Sequence, residues 1–193
     1  MYNFRTNPTK LEDLLNRMGQ NLQLDDSRRE KMETAYKAVT KWIEDDEQFF
    51  RKLDFEIYPH GSVRIGTSVK PIEREEFDLD FVVHISLDWN QHNPMTVYNE
   101  LKRRIEENDT YKKMLIPKSR VLRLDYAGDF HMDIMPGCQE IPDDNDKIRV
   151  PDKKKHNWVS SNPRGYGDWF EGRSKMVRDF VLEKALAMEQ LPA

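Results

Sequence analysis

The chain has 193 residues, of which 37% are hydrophobic and 34% charged, and its formal net charge is −4. That balance fits a soluble globular fold with one sizeable core and excludes bulk electrostatic capture of polyanions, so any contact with phosphate must come from a local site or from metal ions. The single cysteine, Cys138, excludes an internal disulfide and points to a reducing compartment. The N-terminal stretch MYNFRTNPTK lacks the apolar run of a signal peptide. No window approaches the roughly 18 apolar residues of a membrane span, so a cytoplasmic protein with no membrane partner is expected.

In chain order, Leu11, Leu14, Leu15, Met18 and Leu22 recur at helical spacing. After a break at 23–26, Ser27 followed by Glu30 reads as a capping box. Behind it Met32, Ala35, Tyr36, Val39, Trp42 and Ile43 form one stripe, which predicts a second helix running to about Phe50. Phe55, Ile57 and Tyr58 suggest a short strand broken by Pro59, and 61–67 a turn opening a short helix. Residues 76–85 alternate and then become fully apolar, which predicts a strand. Asn93 and Pro94 open a helix with Val97, Tyr98, Leu101 and Ile105 on one face. Two strands follow, 120–126 and 130–135, joined by a turn at Gly128; residues after Pro136 read as loop to about Pro163, and a last helix begins near Asp168. The interleaving gives an α+β fold: a small mixed sheet backed by helices, with long N-terminal helices. The expected division is a helical segment at 1–52, a catalytic core at 53–165 and the start of a C-terminal helical domain at 166–193.

The segment Phe77-Asp78-Leu79-Asp80-Phe81 carries the strongest chemistry. On a strand, Phe77, Leu79 and Phe81 share the core face, and Asp78 and Asp80 share the other, rooted roughly 7 Å apart. Like charges on one face repel, and a hard divalent cation compensates them best. In Phe130-His131-Met132-Asp133-Ile134 the apolar residues again take one face and Asp133 the other. If the two strands are neighbours, three carboxylates converge as a two-metal phosphoryl-transfer site requires. A lone D-x-D pattern, by contrast, is common on solvated strand faces and in turns.

Gly61-Ser62 lies sixteen residues before Asp78, counted from Ser62, between a strand and a short helical turn. Glycine lets the backbone approach a phosphate, which a serine hydroxyl and helix N-terminal amides can hold. Alone the dipeptide is a generic turn. The stretch GSVRIGTSVKPIEREEFDLDFVV with the later FHMDIMPG resembles the signature of polymerase-β-type nucleotidyltransferases: Gly-Ser, two acidic residues one apart, and a third Asp in an apolar strand ending in Pro. The long spacer, Thr67 after Gly66, and SNPRGYGDWF look like the bacterial branch related to cyclic GMP-AMP synthase and oligoadenylate synthase, the DncV-like enzymes (CD-NTases) of anti-phage defence. The resemblance covers roughly residues 10–190.

That resemblance implies attack of a ribose hydroxyl on the α-phosphate of a nucleoside triphosphate, with ATP or GTP among the substrates, release of pyrophosphate, and a cyclic or linear oligonucleotide second messenger as product. It implies Mg2+ or Mn2+ on Asp78, Asp80 and Asp133, Asp133 as the group that prepares the attacking hydroxyl, and the triphosphate at Gly61, Ser62 and Arg64. No duplex nucleic acid is required, and a further helical domain is expected after the core. Arg64 could equally be a solvated surface residue. Lys153, Lys154 and Lys155 read as a solvated loop before they read as a phosphate or RNA contact, and Tyr166 and Trp169 as packing residues as readily as base-stacking ones. Two other readings stand beside this one: transfer to RNA ends or a protein side chain, and a nucleotide-binding module without catalysis.

Overall fold

A computed structural model describes residues 10–71, 76–141 and 144–189. Its centre is a sheet of strands β1 (Phe55–His60), β2 (Phe77–Ile85), β3 (Leu115–Pro117), β4 (Leu122–Asp125), β5 (Phe130–Ile141), β6 (Asp144–Asp152) and β7 (Asn157–Ser161). The spatial order is β1-β2-β5-β4-β3, with β6 joining β5 beyond β4 and β7 joining β6. The β2–β5 pair is parallel and every other pair antiparallel. β5 is long enough to change partners, pairing β4 up to Ile134 and β6 from Cys138.

Helices α2 (Asp26–Glu44) and α4 (Pro94–Glu106) cover one face of the sheet. They bury Met32, Val39 and Ile43 from α2 and Val97, Tyr98, Leu101 and Ile105 from α4, at the 3.6-residue period expected of a docked stripe. Against them stand Leu79, Phe81, Ile85, Leu122, Leu124, Met132 and Ile134. Each such side chain, fully buried, contributes roughly 1.5–3 kcal/mol. Tyr36 meets Phe81 edge-on with centroids 5.3 Å apart and donates its hydroxyl to the Ile57 carbonyl at 3.1 Å, tying α2 to β1 and β2. Trp42 donates to the Arg104 carbonyl at 2.7 Å beneath the Arg104 guanidinium, which joins the two helices.

The opposite face is covered over part of its area only. Val82, Met135, Ile148 and Val150 form a second, smaller cluster there. In β2 the alternation of buried and open positions ends after Asp80, and in β5 after Asp133; beyond both, to Ile85 and Cys138, every residue is buried. The sheet is therefore open on this face where the aspartates stand and closed above them.

Several boundaries differ from the sequence expectation. Asp25, not Ser27, caps α2: its carboxylate accepts from the Arg28 amide at 2.9 Å, and an anion at that position also meets the helix dipole. The helix stops at Glu44 rather than near Phe50, because buried Asp46 turns the chain by accepting from the Phe50 amide at 2.8 Å and from Arg103 at 3.0 Å. Pro59 does not break β1, which pairs only with β2 among the described residues, and an edge strand tolerates a missing N–H. Strand β5 begins at Phe130 as expected but runs past Met135, and the expected loop after Pro136 is the rest of β5 followed by β6 and β7. Pro136 falls between the last β4 partner and the first β6 partner of β5, where a missing donor interrupts no ladder on that side. Helix α5 (Asp109–Met114) and β3 fill a stretch that periodicity left blank. The last helix, α6 (Pro163–Glu189), starts at Pro163 instead of near Asp168. Helix α1 (Lys10–Leu22) forms where expected, yet Leu14, Leu15, Met18 and Leu22 are exposed.

Candidate active site

The parallel register of β2 and β5 sets Asp80 directly beside Asp133, and Asp78 beside His131. Neighbouring strands lie about 4.8 Å apart, so period-2 alternation on both strands delivers all three aspartates to the open face, Asp80 and Asp133 at one height and Asp78 two residues earlier along β2. Asp78 is the outermost, with half of its side chain exposed, whereas the Asp133 side chain is 14% exposed. Asp80 is half-buried, and its carboxyl is pushed up from the usual 3.8 to about 6, first by desolvation, then by the charges of Asp133 and Asp78, with Arg123 opposing. Among the described residues no hydrogen-bond donor reaches the Asp80 carboxylate.

Arg123 compensates the other two. It lies on β4 directly across from Asp133, donates Nε and Nη2 to the two Asp133 oxygens at 2.7 and 2.8 Å, and shares Nη2 with Asp78 at 3.0 Å. The charge-assisted bonds to Asp133 raise its guanidinium pKa. Next to it His131 holds Glu76 through Nε2 at 2.6 Å and comes within 3.5 Å of Asp78 through Nδ1. Glu76, Asp125 and His131 also bring ligand atoms within 4.8 Å of one another.

The Gly-Ser turn reaches this point because β1 ends opposite it: His60 pairs with Asp80 across the β1–β2 ladder, so the next residue turns over the Asp80 side chain. Gly61 has φ +59°, and a Cβ there would overlap Asp80 Oδ2 and stand 3.1 Å from its Cγ. Glycine is thus required twice, by conformation and by space. Ser62 accepts the Thr67 amide on its carbonyl at 2.9 Å, and its hydroxyl lies 3.1 Å from that of Ser68. A cavity of about 420 Å³ opens here, lined by Ser62, Thr67, Ser68, Lys70, Asp78 and Asp80 among others. Lys70 is anchored by its amide to the Leu22 carbonyl at the end of α1, 2.6 Å away.

The structure brings together Asp78, Asp80, Asp133, Gly61 and Ser62. Arg64 goes elsewhere: its guanidinium pairs with Asp168 at 2.8 Å and with Glu171, fastening the short helix α3 (Gly61–Arg64) to α6. Lys153, Lys154 and Lys155 lie exposed in the β6–β7 turn, away from the cavity lining. Tyr166 and Trp169 stand on α6 about half exposed, with ring centroids 5.9 Å apart. Arg123 was missed by sequence reasoning, though a signal existed. Leu122 and Leu124 face the core, so Arg123 between them falls on the aspartates' face; what the sequence lacked was the pairing of β4 with β5.

A divalent cation fits these residues. The donors are hard carboxylate oxygens, Asp80 has no donor among the described residues, and desolvation and like-charge repulsion resist its ionisation until positive charge is supplied.

Residues 10–173 match the Second Messenger Oligonucleotide or Dinucleotide Synthetase domain. A c-di-GMP synthase of Roseivirga ehrenbergii is 44% identical over 183 residues, covering 95% of this chain and 49% of that protein. The cyclic dinucleotide synthase CdnG of Bradyrhizobium diazoefficiens is 26% identical over 180 residues, covering 89% of this chain and 42% of that protein. The chain therefore spans about half the length of the curated relatives it matches. The solved structure of that CdnG, in complex with GTP, superposes with a TM-score of 0.69 at 25% identity over 83% of this chain and 46% of the other. Vibrio cholerae DncV cyclic AMP-GMP synthase, with a linear intermediate bound, shares the fold at a TM-score of 0.58 and 13% identity, over 80% of this chain and 57% of the other. The chain belongs to the Second Messenger Oligonucleotide or Dinucleotide Synthetase domain family and has the polymerase-β-like nucleotidyltransferase fold of the cGAS/DncV-like enzymes.

Proposed function

We propose that the protein containing this chain joins two molecules of GTP into a cyclic dinucleotide, using Asp78, Asp80 and Asp133 to hold Mg2+ or Mn2+. The observation that carries the reading is the in-register pair Asp80–Asp133 beneath a glycine turn that only a residue without Cβ can make. The choice of GTP follows the 44% identity to a c-di-GMP synthase over nearly all of this chain. In each of two steps a ribose hydroxyl attacks an α-phosphate, one phosphodiester bond forms, and pyrophosphate leaves. When bound, the metal supplies positive charge to the phosphates and lowers the pKa of the attacking hydroxyl.

The chain's own residues do the rest. Gly61 allows the backbone to approach the phosphates, and Ser62, Thr67, Ser68 and Lys70, which line the cavity, would supply hydroxyls and an ammonium to them. Asp133, held at both carboxylate oxygens by Arg123, keeps a fixed orientation and is suited to align the hydroxyl or take its proton. Catalysis on this reading is positioning plus charge neutralisation.

The test is to incubate the full-length protein with each α-labelled nucleoside triphosphate and Mg2+ and to separate the products after phosphatase treatment. A phosphatase-resistant product from GTP, with pyrophosphate release abolished by Asp78→Asn plus Asp80→Asn, is expected. Product formation that survives the double substitution overturns the site; a cyclic product from another triphosphate alone overturns the choice of GTP.

A further inference from the structure

Three carboxylates and one guanidinium meet on the open face of the sheet, and the way the guanidinium is divided among them is uneven. Arg123 makes two bonds to Asp133, one to Asp78 and none to Asp80. The Asp133 contact is bidentate, joins residues directly opposite in the β4–β5 ladder, and involves an acid side chain only 14% exposed. The Asp78 contact is a single bond at 3.0 Å, uses a nitrogen already engaged by Asp133, and involves a side chain that is 50% exposed. The first is built to persist and the second to yield.

We propose that Arg123 is the site's resident counter-cation, clamping Asp78 to Asp133 before a divalent ion binds and surrendering Asp78, while keeping Asp133, when the ion arrives. This rests on the metal reading above. Charge counting supports it: Asp78, Asp80, Asp133 and Arg123 together leave −2, and Glu76 and Asp125 beside His131 add further negative charge, so the site still attracts a divalent ion with Arg123 in place. With Asp78 released from Arg123, its carboxylate keeps only the 3.5 Å approach of His131 Nδ1 and can join Asp80, whose own carboxylate has no donor among the described residues. Arg123 then acts on Asp133 alone, as a positioning residue that fixes the carboxylate plane. The guanidinium also weakens ion binding, because an incoming cation must displace one hydrogen bond and sit near a fixed positive charge.

The experiment measures Mn2+ binding without nucleotide, by electron paramagnetic resonance or calorimetry, on wild type, Arg123→Gln and Arg123→Lys. Melting is followed in parallel in chelator and in Mn2+. Removing the clamp should lower Tm in chelator, because Asp78 and Asp133 then face each other unscreened. It should also tighten Mn2+ by about tenfold and enlarge the Mn2+-induced rise in Tm, with Arg123→Lys in between, since it keeps the charge but loses the fork. A merely structural arginine would lower Tm without improving affinity. Mn2+ affinity in Arg123→Gln equal to or weaker than wild type overturns the proposal. If that variant fails to fold, Arg123→Lys with wild-type affinity overturns it equally. Absence of Mn2+ binding to the wild type overturns the metal reading itself, which separates the two failures.

Discussion

Asp80→Asn should stabilise the metal-free protein. Folding raises the Asp80 pKa from the usual 3.8 to about 6, so between those values the folded state binds more protons than the unfolded one. Stability from this group is therefore greatest below the unfolded pKa and falls as pH rises through about 4 to 6, levelling off near 7. A shift of roughly two pKa units corresponds to about 3 kcal/mol at full weight. The side chain keeps partial access to solvent, which screens the charges, so about 1–2 kcal/mol is the fair expectation. For a chain of this size that is a rise in Tm of roughly 3–6 °C. The assay is thermal melting of wild type and Asp80→Asn in chelator from pH 4 to pH 8. The two should melt nearly together at pH 4 and separate as pH rises, the variant above the wild type, with the gap complete near pH 7. Adding Mg2+ should raise the wild type and leave the variant nearly unmoved. A gap independent of pH, or a variant less stable than wild type at pH 7.5, would refute the assignment of a desolvated, repelled carboxylate.

Two further outcomes follow from particular contacts. Gly61 and Gly66 both have positive φ, but a Cβ at Gly61 meets Asp80 while one at Gly66 meets nothing within 4 Å. Gly66→Ala should therefore cost only the backbone conformation, about 1–2 kcal/mol, whereas Gly61→Ala should cost more and also weaken triphosphate binding; equal losses in melting and in titration with GTP would show that the turn does not press on the site. Cys138 is fully buried, and burial, with a smaller contribution from Asp88, pushes its thiol up to about 12. A disulfide reagent at pH 8 should leave it untouched in the native protein and label it fully on unfolding; stoichiometric labelling of the native chain within minutes would contradict the fold around β5.

The sequence by itself determined which residues share a face. Period-2 alternation around Asp78, Asp80 and Asp133 follows from strand geometry alone, as does the helical stripe from Met32 to Ile43, because both periods are properties of the local backbone. It did not determine where strands persist through proline: Pro59, Pro136 and Pro151 all sit at paired positions of strands, and pairing is not a local property. The capping residue was misread as well: the Ser27–Glu30 spacing pointed to Ser27, whereas Asp25 caps the helix. Tertiary structure alone decided the content of the site. Only the parallel register of β2 with β5 sets Asp80 beside Asp133, only the β1–β2 ladder carries Gly61 over Asp80, and only the β4–β5 ladder brings Arg123 to two carboxylates while Arg64, next to the Gly-Ser turn in sequence, is drawn to Asp168 and Glu171. Charge partners are chosen by distance in space, and long-range pairing sets that distance.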